Sequence, residues 1–290
     1  MPSTRDIRRR IKSVKNTAQI TKAMQMVAAS KMRKAQQAAL GGRPYAHLMN
    51  EVLASVAAET RDATHPFLEK REGTKRCVIL ISTDKGLCGG LNSNLMREAA
   101  KSPADSVFIA AGRKGSQFLA RTQRNVVAEF TYRDAPLFAE ARAISKFAQD
   151  LFLKGEVDRV DIVFTNFIST LVQKPEVRPL LPISEVSAVK AGMGEDKHGV
   201  LPEQTGEFLF EPDQEHVLGA LLPHSLNFQI YQILLEAKAS EHSARMVAMK
   251  NATDNAKQFI KDLTLEYNKL RQANITKELL EIASAAMGMG

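Results

Sequence analysis

The chain has 290 residues, of which 44% are hydrophobic, 25% are charged and 6% are aromatic, a composition typical of a globular protein of one or two domains. No apolar run reaches the roughly 18 residues that a membrane-spanning helix needs, and no apolar segment follows the first basic residues as it would in a secretory signal. The net charge of +8 favours an acidic partner, and it is concentrated in residues 1–43, which hold eleven Lys or Arg and one acidic residue.

The first predicted element is a long helix from about Ser3 to Leu40, a stretch that contains neither Gly nor Pro. Ser3 or Thr4 can cap this helix, and Asp6 in its first turn complements the helix dipole. Its apolar and small residues are spaced by four and three, which is the spacing of a coiled-coil seam. The seam residues are Ile7, Ile11, Val14, Ala18, Thr21, Ala28, Met32 and Ala35.

Helix breakers follow this first seam. Gly41, Gly42 and Pro44 are expected to kink or interrupt the helix. An apolar face then resumes as far as about Ala58, and the His65–Pro66 dipeptide ends the helical region because the residue before a proline disfavours the helical conformation.

The middle of the chain alternates strand and helix patterns. Strands are predicted at 76–82, 107–111, 125–130 and 159–169, and helices at 91–101, 113–121 and 139–154. The βαβαβαβ order predicts a Rossmann-like α/β domain with a mostly parallel sheet. Thr170–Leu180 is a candidate antiparallel edge strand, and Phe208–Phe210 is a candidate short last strand. Between them, Val189–Gly206 is predicted to be a long exposed loop or a disordered insert.

The last predicted element is a helix from His224 to Met287, far longer than the about three turns of an ordinary globular helix. Gly219 and Pro223 predict an irregular start to it. Its seam residues are Met246, Met249, Thr253, Ala256, Ile260, Leu263, Tyr267 and Leu270.

A helix with one narrow apolar seam needs a partner, and each of the two long helices supplies the natural partner of the other. Their pairing must be antiparallel because a folded domain lies between them in the chain. The predicted fold is therefore a long antiparallel coiled coil with an inserted Rossmann-like α/β domain. We assign residues 1–60 and 212–290 to the coiled coil and residues 74–211 to the α/β domain.

The loop after the first strand, Thr83–Gly90, superficially resembles a phosphate cradle. It has the spacing of neither glycine-rich nucleotide motif, and no Lys-Ser/Thr pair opens the next helix. A tight exposed loop is the favoured interpretation. A docking role for Lys85, Leu87 and Cys88 remains open.

The rest of the sequence contains no pattern of catalytic chemistry. The two cysteines, Cys77 and Cys88, are expected to be free thiols in a reducing compartment. None of the six histidines has the spacing of a metal ligand, and no Ser/His/Asp arrangement follows from spacing. We therefore expect no cofactor, no metal and no active site.

The basic N-terminal helix leaves a second class of function open, a coiled-coil scaffold or nucleic-acid adaptor. The block Arg8–Lys12 favours nucleic-acid binding. Against it, the basic residues fall between apolar seam positions and no aromatic residue is interleaved before Tyr45. An acidic protein surface is the favoured partner, and nucleic acid is not.

Four runs of the chain closely resemble the γ-subunit family of the F-type ATP synthases. They are Asn16–Gln36, Ser82–Asn92, Glu241–Asn255 and Tyr267–Leu279. The runs are long, specific and in the family's order over nearly the whole chain, whereas the central α/β part matches more in layout than in letters. The chain lacks an insertion that carries a cysteine pair, so thiol control of rotation is not expected.

The resemblance implies a non-catalytic rotor. The coiled coil would stand inside a ring of three α and three β subunits and couple proton-driven rotation to ATP synthesis, or ATP hydrolysis to reverse rotation. The α/β domain would hold the ε subunit and the ring of c subunits, through which contact with the membrane would be indirect. The protein would lie on the cytoplasmic face of a bacterial inner membrane or on the matrix face in a mitochondrion.

The resemblance also implies contact residues. Lys22 and Met24 would meet the acidic lever of a β subunit, with Arg245 in their neighbourhood. A docking site on the same lever region would be formed by Lys85, Leu87 and Cys88. The polar contact that β loops grip would be formed by Arg271, Gln272, Thr276 and Glu278, and the apolar tip, Ile282–Met289, would turn in a low-friction sleeve. The alternative for each residue is a place in the seam or on a solvated face.

Overall fold

The computed structural model describes residues 3–42, 65–183 and 213–287, together with residues 44–46, 48, 49, 52, 53 and 211. In chain order the elements are α1 (Thr4–Gly41), β1 (Arg76–Ile81), α2 (Leu91–Ala99), β2 (Val107–Ala111), α3 (Arg113–Arg121), β3 (Asn125–Phe130), α4 (Phe138–Leu153), β4 (Arg159–Phe167), β5 (Gln173–Leu181) and α5 (Gln214–Met287). The predictions for Ala58, Val189–Gly206, Phe208–Phe210 and the last residues of the apolar tip lie outside the described residues.

The five strands form one sheet in the order β3-β2-β1-β4-β5. The pairs β1–β2, β1–β4 and β2–β3 are parallel, and β4–β5 is antiparallel. This confirms the predicted Rossmann-like sheet with an antiparallel edge strand. Pro175 and Pro179 in β5 are tolerated because an edge strand has one side without ladder partners.

Alternate residues of β1 face two separate cores, as the two-residue period of a strand requires. Ile79 packs on one face with residues of α4 and α5, including Phe152 and Leu226. Leu80 packs on the other face with Leu95 of α2 and Leu119 of α3. Helices therefore cover both faces of the sheet, which explains why the central strands are apolar at almost every position.

The helix α5 is regular through Gly219 and Pro223, so the predicted irregular start at these residues is wrong. Leu218, Leu222 and Leu226 are buried in the main core at intervals of four, one turn apart. Burial of this stripe keeps the segment helical although Pro223 lacks the N–H of the backbone ladder. The helix begins at Gln214, ten residues before the predicted start.

By internal contacts the chain divides into two compact units. Unit 1 comprises residues 1–27 and 246–290, and unit 2 comprises residues 28–245. The domain boundaries assigned from the sequence remain a prediction.

The two helix segments of unit 1 pack along the predicted seams. The hydroxyl oxygens of Thr21 and Thr253 lie 2.7 Å apart in a buried contact, and Arg8 Nη2 donates to the hydroxyl of Tyr267 at 2.6 Å. The residue nearer the start of α1, Arg8, contacts the residue farther along α5, Tyr267, whereas Thr21 contacts Thr253. This order confirms the antiparallel direction within this unit. Buried hydroxyls in the seam satisfy each other, so they cost little burial energy.

In unit 2 the small residues of α1 permit a close approach of other elements. Ala35 is buried in a cluster with Ala239 of α5 and Phe167 of β4. A Cβ atom on Gly42 would lie 1.9 Å from the side-chain amide of Gln232, so a side chain at this position would require Gln232 to move. α1 ends at Gly41, where the sequence predicted an interruption of the helix.

Candidate subunit-contact surfaces

The loop of residues 82–90, here the β1–α2 loop, begins at the carboxyl end of β1. Ser82 Oγ accepts a hydrogen bond from the Gly115 N–H at 2.7 Å, and the Ser82 carbonyl accepts one from the Tyr132 hydroxyl at 2.8 Å. Gly112 has a φ of +103°, and a Cβ there would lie 2.2 Å from the Ser82 carbonyl oxygen. The start of the loop is therefore tied to two neighbouring elements.

The middle of the β1–α2 loop is held by its own side chains. Thr83 Oγ1 donates to the Lys85 carbonyl at 2.8 Å, and Asn92 Nδ2 contacts both Thr83 Oγ1 at 2.8 Å and Cys88 Sγ at 3.4 Å. Leu87 has a φ of +61° and is 61% exposed. A non-glycine residue in the left-handed region costs energy and persists where its surroundings impose it. The structure thus displays an apolar side chain at a strained position.

Arg245 of α5 anchors the β1–α2 loop from outside. Its Nη2 donates to the carbonyls of Lys85 at 3.3 Å and Gly86 at 3.1 Å. The same nitrogen pairs with Glu241 Oε1 at 2.8 Å. Lys85, Leu87, Cys88 and Arg245, which were predicted as contacts, therefore belong to one surface, which we call the loop–helix surface. Cys88 itself is buried, so it supports this surface from beneath.

In α/β sheets, ligands commonly bind at the carboxyl edge where the strand order reverses. Here that position lies between β1 and β4. Ser240 Oγ of α5 donates to the Thr165 carbonyl at 3.0 Å, and Ser243 Oγ donates to the Thr170 carbonyl at 2.7 Å. With Arg245 on the loop carbonyls, the chain's own helix fills the crevice. The β1–α2 loop, which superficially resembles a phosphate cradle, therefore has Arg245 of α5 as its partner.

An ionic cluster centred on the buried Lys238 and Glu241 lies beside the loop–helix surface, and sequence reasoning missed it. Lys238, 1% exposed, places Nζ 3.0 Å from Glu241 Oε2, 3.7 Å from Asp134 Oδ1 and 4.5 Å from the ring centre of Tyr132. Lys31 also pairs with Asp134. The spacing of three between Lys238 and Glu241 was a visible signal. Nothing in the spacing indicates that the pair is buried.

The cluster shifts the pKa values of its members. Burial lowers the pKa of His242 to about 4, with the nearby charges of Arg245 and Lys238 acting in the same direction against those of Glu241 and Asp134. His242 Nε2 has no hydrogen-bond partner among the described residues and lies 4.0 Å from Asp134 Oδ1. The hydrogen bond from Lys31 lowers the pKa of Asp134. His242 is therefore neutral at pH 7 in the folded protein.

The two thiols are unsuited to nucleophilic chemistry. Burial raises the pKa of Cys77 to about 12, and burial also raises the pKa of Cys88. Both are free and buried. A protonated thiol is a poor nucleophile, so both cysteines serve as small packing residues.

The remaining contact residues predicted from the resemblance lie in unit 1. Lys22 is exposed and donates to Gln25 Oε1 at 3.4 Å, while Met24 is half-buried. Thr276 Oγ1 donates to the Gln272 carbonyl at 3.0 Å, a bond within the helix. The side chains of Arg271, Gln272, Thr276 and Glu278 are all exposed.

The end of α5 is solvated on every side within unit 1. All side chains from residue 271 to residue 284 are exposed, including those of Leu279, Leu280 and Ile282. We call residues 271–284 the exposed helix end. A helix without a buried face needs further contacts to remain ordered in water. Among the described residues, no cluster of His, Cys, Asp and Glu suits a metal, and no helix is long and apolar enough to cross a membrane.

Comparison with known proteins agrees with the fold. A family model described as ATP synthase matches residues 3–289. The chain is 52% identical to the ATP synthase gamma chain of Opitutus terrae, over 98% of each chain, and 48% identical to that of Methylacidiphilum infernorum, over the full length of both.

Solved structures show the same fold. A chain from the central stalk and c-ring structure of the Tetrahymena thermophila mitochondrial ATP synthase matches with a TM-score of 0.58 and 26% identity, over 80% of this chain and 99% of that one. A chain of the Euglena gracilis mitochondrial ATP synthase matches with a TM-score of 0.65 and 20% identity, over 99% of this chain and 94% of that one. By the family model and by these relatives, the chain belongs to the ATP synthase gamma-chain family.

Proposed function

We propose that the protein is the central rotor stalk of an F-type ATP synthase, coupling proton-driven rotation to conformational change in the catalytic ring. The observation that carries this proposal is the exposed helix end. Its leucines and isoleucines have no partner among the described residues of the chain, and long exposed apolar surfaces in soluble proteins mark interaction sites. A ring of subunits that encloses the helix would supply that partner.

The rotor carries no catalytic group of its own in this proposal, and the nucleotide sites belong to the β subunits. The stalk consists of coiled-coil segments at residues 1–60 and 212–290, and the α/β domain at residues 74–211 holds the ε subunit and the c-ring. The protein is peripheral, on the cytoplasmic face of a bacterial inner membrane or the equivalent matrix face. Its contact with the membrane is through the c-ring.

Three parts of the chain contact the β subunits. The loop–helix surface presents Leu87 and the ammonium group of Lys85, which suit an acidic partner with an apolar recess. The exposed helix end presents Arg271, Gln272, Thr276 and Glu278 as a polar contact, while Lys22 and Met24 of α1 meet an acidic lever. A shaft transmits free energy between sites only if its contacts differ between the states of each β subunit, so these asymmetric contacts carry the coupling.

Reconstitution tests the assignment. The purified chain is mixed with the α and β subunits of the same organism, and native mass spectrometry counts the copies. We expect one copy per three αβ pairs, and no ATP hydrolysis by the chain alone. A ratio of one copy per αβ pair, or a purified chain that hydrolyses ATP, contradicts the rotor assignment.

A pair of matched variants tests the contact surface. Gln272 and Gln258 are both exposed glutamines of α5, but only Gln272 lies on the exposed helix end. Gln272→Ala is expected to weaken torque-coupled ATP synthesis in reconstituted vesicles, whereas Gln258→Ala keeps the wild-type rate. Equal effects of the two substitutions would remove the reason for assigning the contact to Gln272.

A further inference from the structure

A cleft opens in unit 2 at the amino edge of the sheet, opposite the edge that α5 fills. Its volume is about 590 Å³, within the usual range of small-ligand sites. The residues that line it are Lys70, Arg71, Gly73, Thr74, Arg76, Pro103, Asp105, Asp158, Arg159, Pro179, Leu181 and Pro182. Four cationic and two anionic side chains meet in this cleft, and the proline rings make parts of its wall rigid.

Two of the arginines form a like-charged pair that the fold does not require. Arg76 is the first residue of β1 and Arg159 the first of β4, and the two are direct partners in the parallel register. One buried carboxylate serves both, because Asp161 Oδ1 lies 2.8 Å from Arg159 Nε and Asp161 Oδ2 lies 3.8 Å from Arg76 Nη1. Like charges at neighbouring strand positions destabilise a sheet. The pair therefore leaves one positive charge uncompensated at the cleft.

A third guanidinium is held in place without a carboxylate. Arg71 Nη1 donates to the carbonyls of Phe152 at 2.6 Å and Val157 at 3.3 Å, and its guanidinium lies 4.2 Å from the ring centre of Phe152. Carbonyl oxygens orient the group but do not neutralise its charge. Arg71 has no ion pair among the described residues. Its position is fixed before any ligand arrives, which lowers the entropy cost of binding.

The carboxylates offset this charge only in part, because four cationic side chains stand against Asp105, Asp158 and the buried Asp161. Asp158 Oδ2 accepts the Lys75 N–H at 3.0 Å, so one of its oxygens is committed to the backbone. Asp105 is exposed. The cleft thus combines oriented guanidinium groups, an exposed Lys70 and a rigid wall. Guanidinium groups match the geometry of phosphate oxygens, with which they form paired, charge-assisted hydrogen bonds.

From this juxtaposition of Arg71, Arg76 and Arg159 we propose that the cleft binds a ligand that carries phosphate groups. The inference stands apart from the rotor function, because the cleft lies on the edge of the sheet away from the loop–helix surface. The phosphate source is either a free phosphate compound or an anionic lipid headgroup. The chemistry of the site is the same for both, so the experiment has two arms.

The first arm uses inorganic pyrophosphate and the full-length chain at constant ionic strength, since screening weakens surface electrostatics. Isothermal titration calorimetry measures the affinity. The test variant is Arg76→Gln, which leaves Asp161 paired with Arg159 at the shorter distance. The control is Arg121→Gln, an exposed arginine at the end of α3 that does not line the cleft. We expect saturable binding that Arg76→Gln weakens about tenfold and Arg121→Gln leaves unchanged.

The second arm measures sedimentation with vesicles of phosphatidylcholine, with and without phosphatidylglycerol. One outcome assigns the site to a lipid headgroup. In that outcome the chain sediments with the phosphatidylglycerol vesicles, Arg76→Gln reduces this sedimentation, and pyrophosphate does not bind. If Arg76→Gln does not fold, Lys70→Gln replaces it, because Lys70 has an exposed side chain on the same wall. Absence of binding in both arms, or equal loss in the Arg121→Gln control, overturns the proposal.

Discussion

His242 makes the stability of unit 2 depend on pH in a window set by its own titration. Burial lowers the pKa of His242 from 6.5 to about 4 in the folded protein. Below pH 6.5 the unfolded chain takes up a proton at this residue while the folded chain does not, so folding becomes less favourable as the pH falls toward 4. Between pH 7 and pH 5 the loss is about 2 kcal/mol.

The test substitution is His242→Gln. The amide of glutamine does not titrate, and its oxygen can accept a hydrogen bond in the place of His242 Nδ1, which lies 3.4 Å from Arg245 Nη1. Urea unfolding followed by circular dichroism at pH 7 and pH 5 gives the free energy of unfolding for each protein. We expect the wild type to lose about 2 kcal/mol more than the variant over this interval.

Two features of the molecule make this comparison specific. Burial also lowers the pKa of His65, which adds a pH dependence of the same sign, but that contribution is common to wild type and variant. The charged groups around His242 are Asp134, Lys238, Glu241 and Arg245, and all four are retained in the variant.

Ser243→Ala provides the matched control. It removes the hydrogen bond from Ser243 Oγ to the Thr170 carbonyl, so it is expected to cost about 1 kcal/mol at both pH values alike. If His242→Gln retains the full wild-type dependence between pH 7 and pH 5, the titration of His242 is not its cause and the reasoning fails.

Three further substitutions test the packing and the strained loop. Leu263→Ala should lower the free energy of unfolding by about 2 to 5 kcal/mol, because Leu263 is buried in the seam, whereas the exposed Leu265→Ala should change it by less than about 0.5 kcal/mol in urea unfolding. Gly112→Ala should lower the melting temperature in a calorimetric scan, because its new Cβ would meet the Ser82 carbonyl. Leu87→Gly should raise the free energy of unfolding of the isolated chain by about 1 kcal/mol through relief of strain, yet weaken assembly with the α and β subunits, measured by native mass spectrometry.

Each of these expectations has an outcome that contradicts it. Equal losses for Leu263→Ala and Leu265→Ala would mean that the seam is not the packed face. A melting temperature unchanged by Gly112→Ala would mean that the loop start can shift at no cost. If Leu87→Gly assembles normally with the α and β subunits, Leu87 and its strained backbone have no role in docking.

The periodic spacing of apolar residues in the sequence was sufficient to predict the seams and the sheet. Ile7, Thr21 and Ala28 of the first predicted seam, and Thr253 and Leu263 of the second, are buried where the spacing of four and three predicted. The bounds of β2, α3 and β3 coincide with the predicted ones. These features follow from the sequence because burial of one face of a helix or strand imposes a short-range repeat on the residue types.

Other features could not be read from the sequence, because they depend on residues far apart in the chain. The pairing of Arg76 with Arg159 results from strand register, and the burial of Lys238 results from Asp134 and Tyr132 reaching it from another part of unit 2. The prediction of a break at Pro223 was wrong, because it rested on the low helix propensity of proline alone. Packing of Leu222 and Leu226 in the core outweighs that preference.

The sequence by itself determined the alternation of elements, the two seams and the family, since each is written in local spacing or in contiguous runs of residues. Only the tertiary structure decided that α5 fills the crevice at the carboxyl edge, that Lys238 and Glu241 are buried in an ionic cluster and that three arginines line one cleft at the opposite edge. The physical reason is that burial and electrostatic pairing are set by distances in space, and the chain brings these groups together only after the sheet and its covering helices have packed.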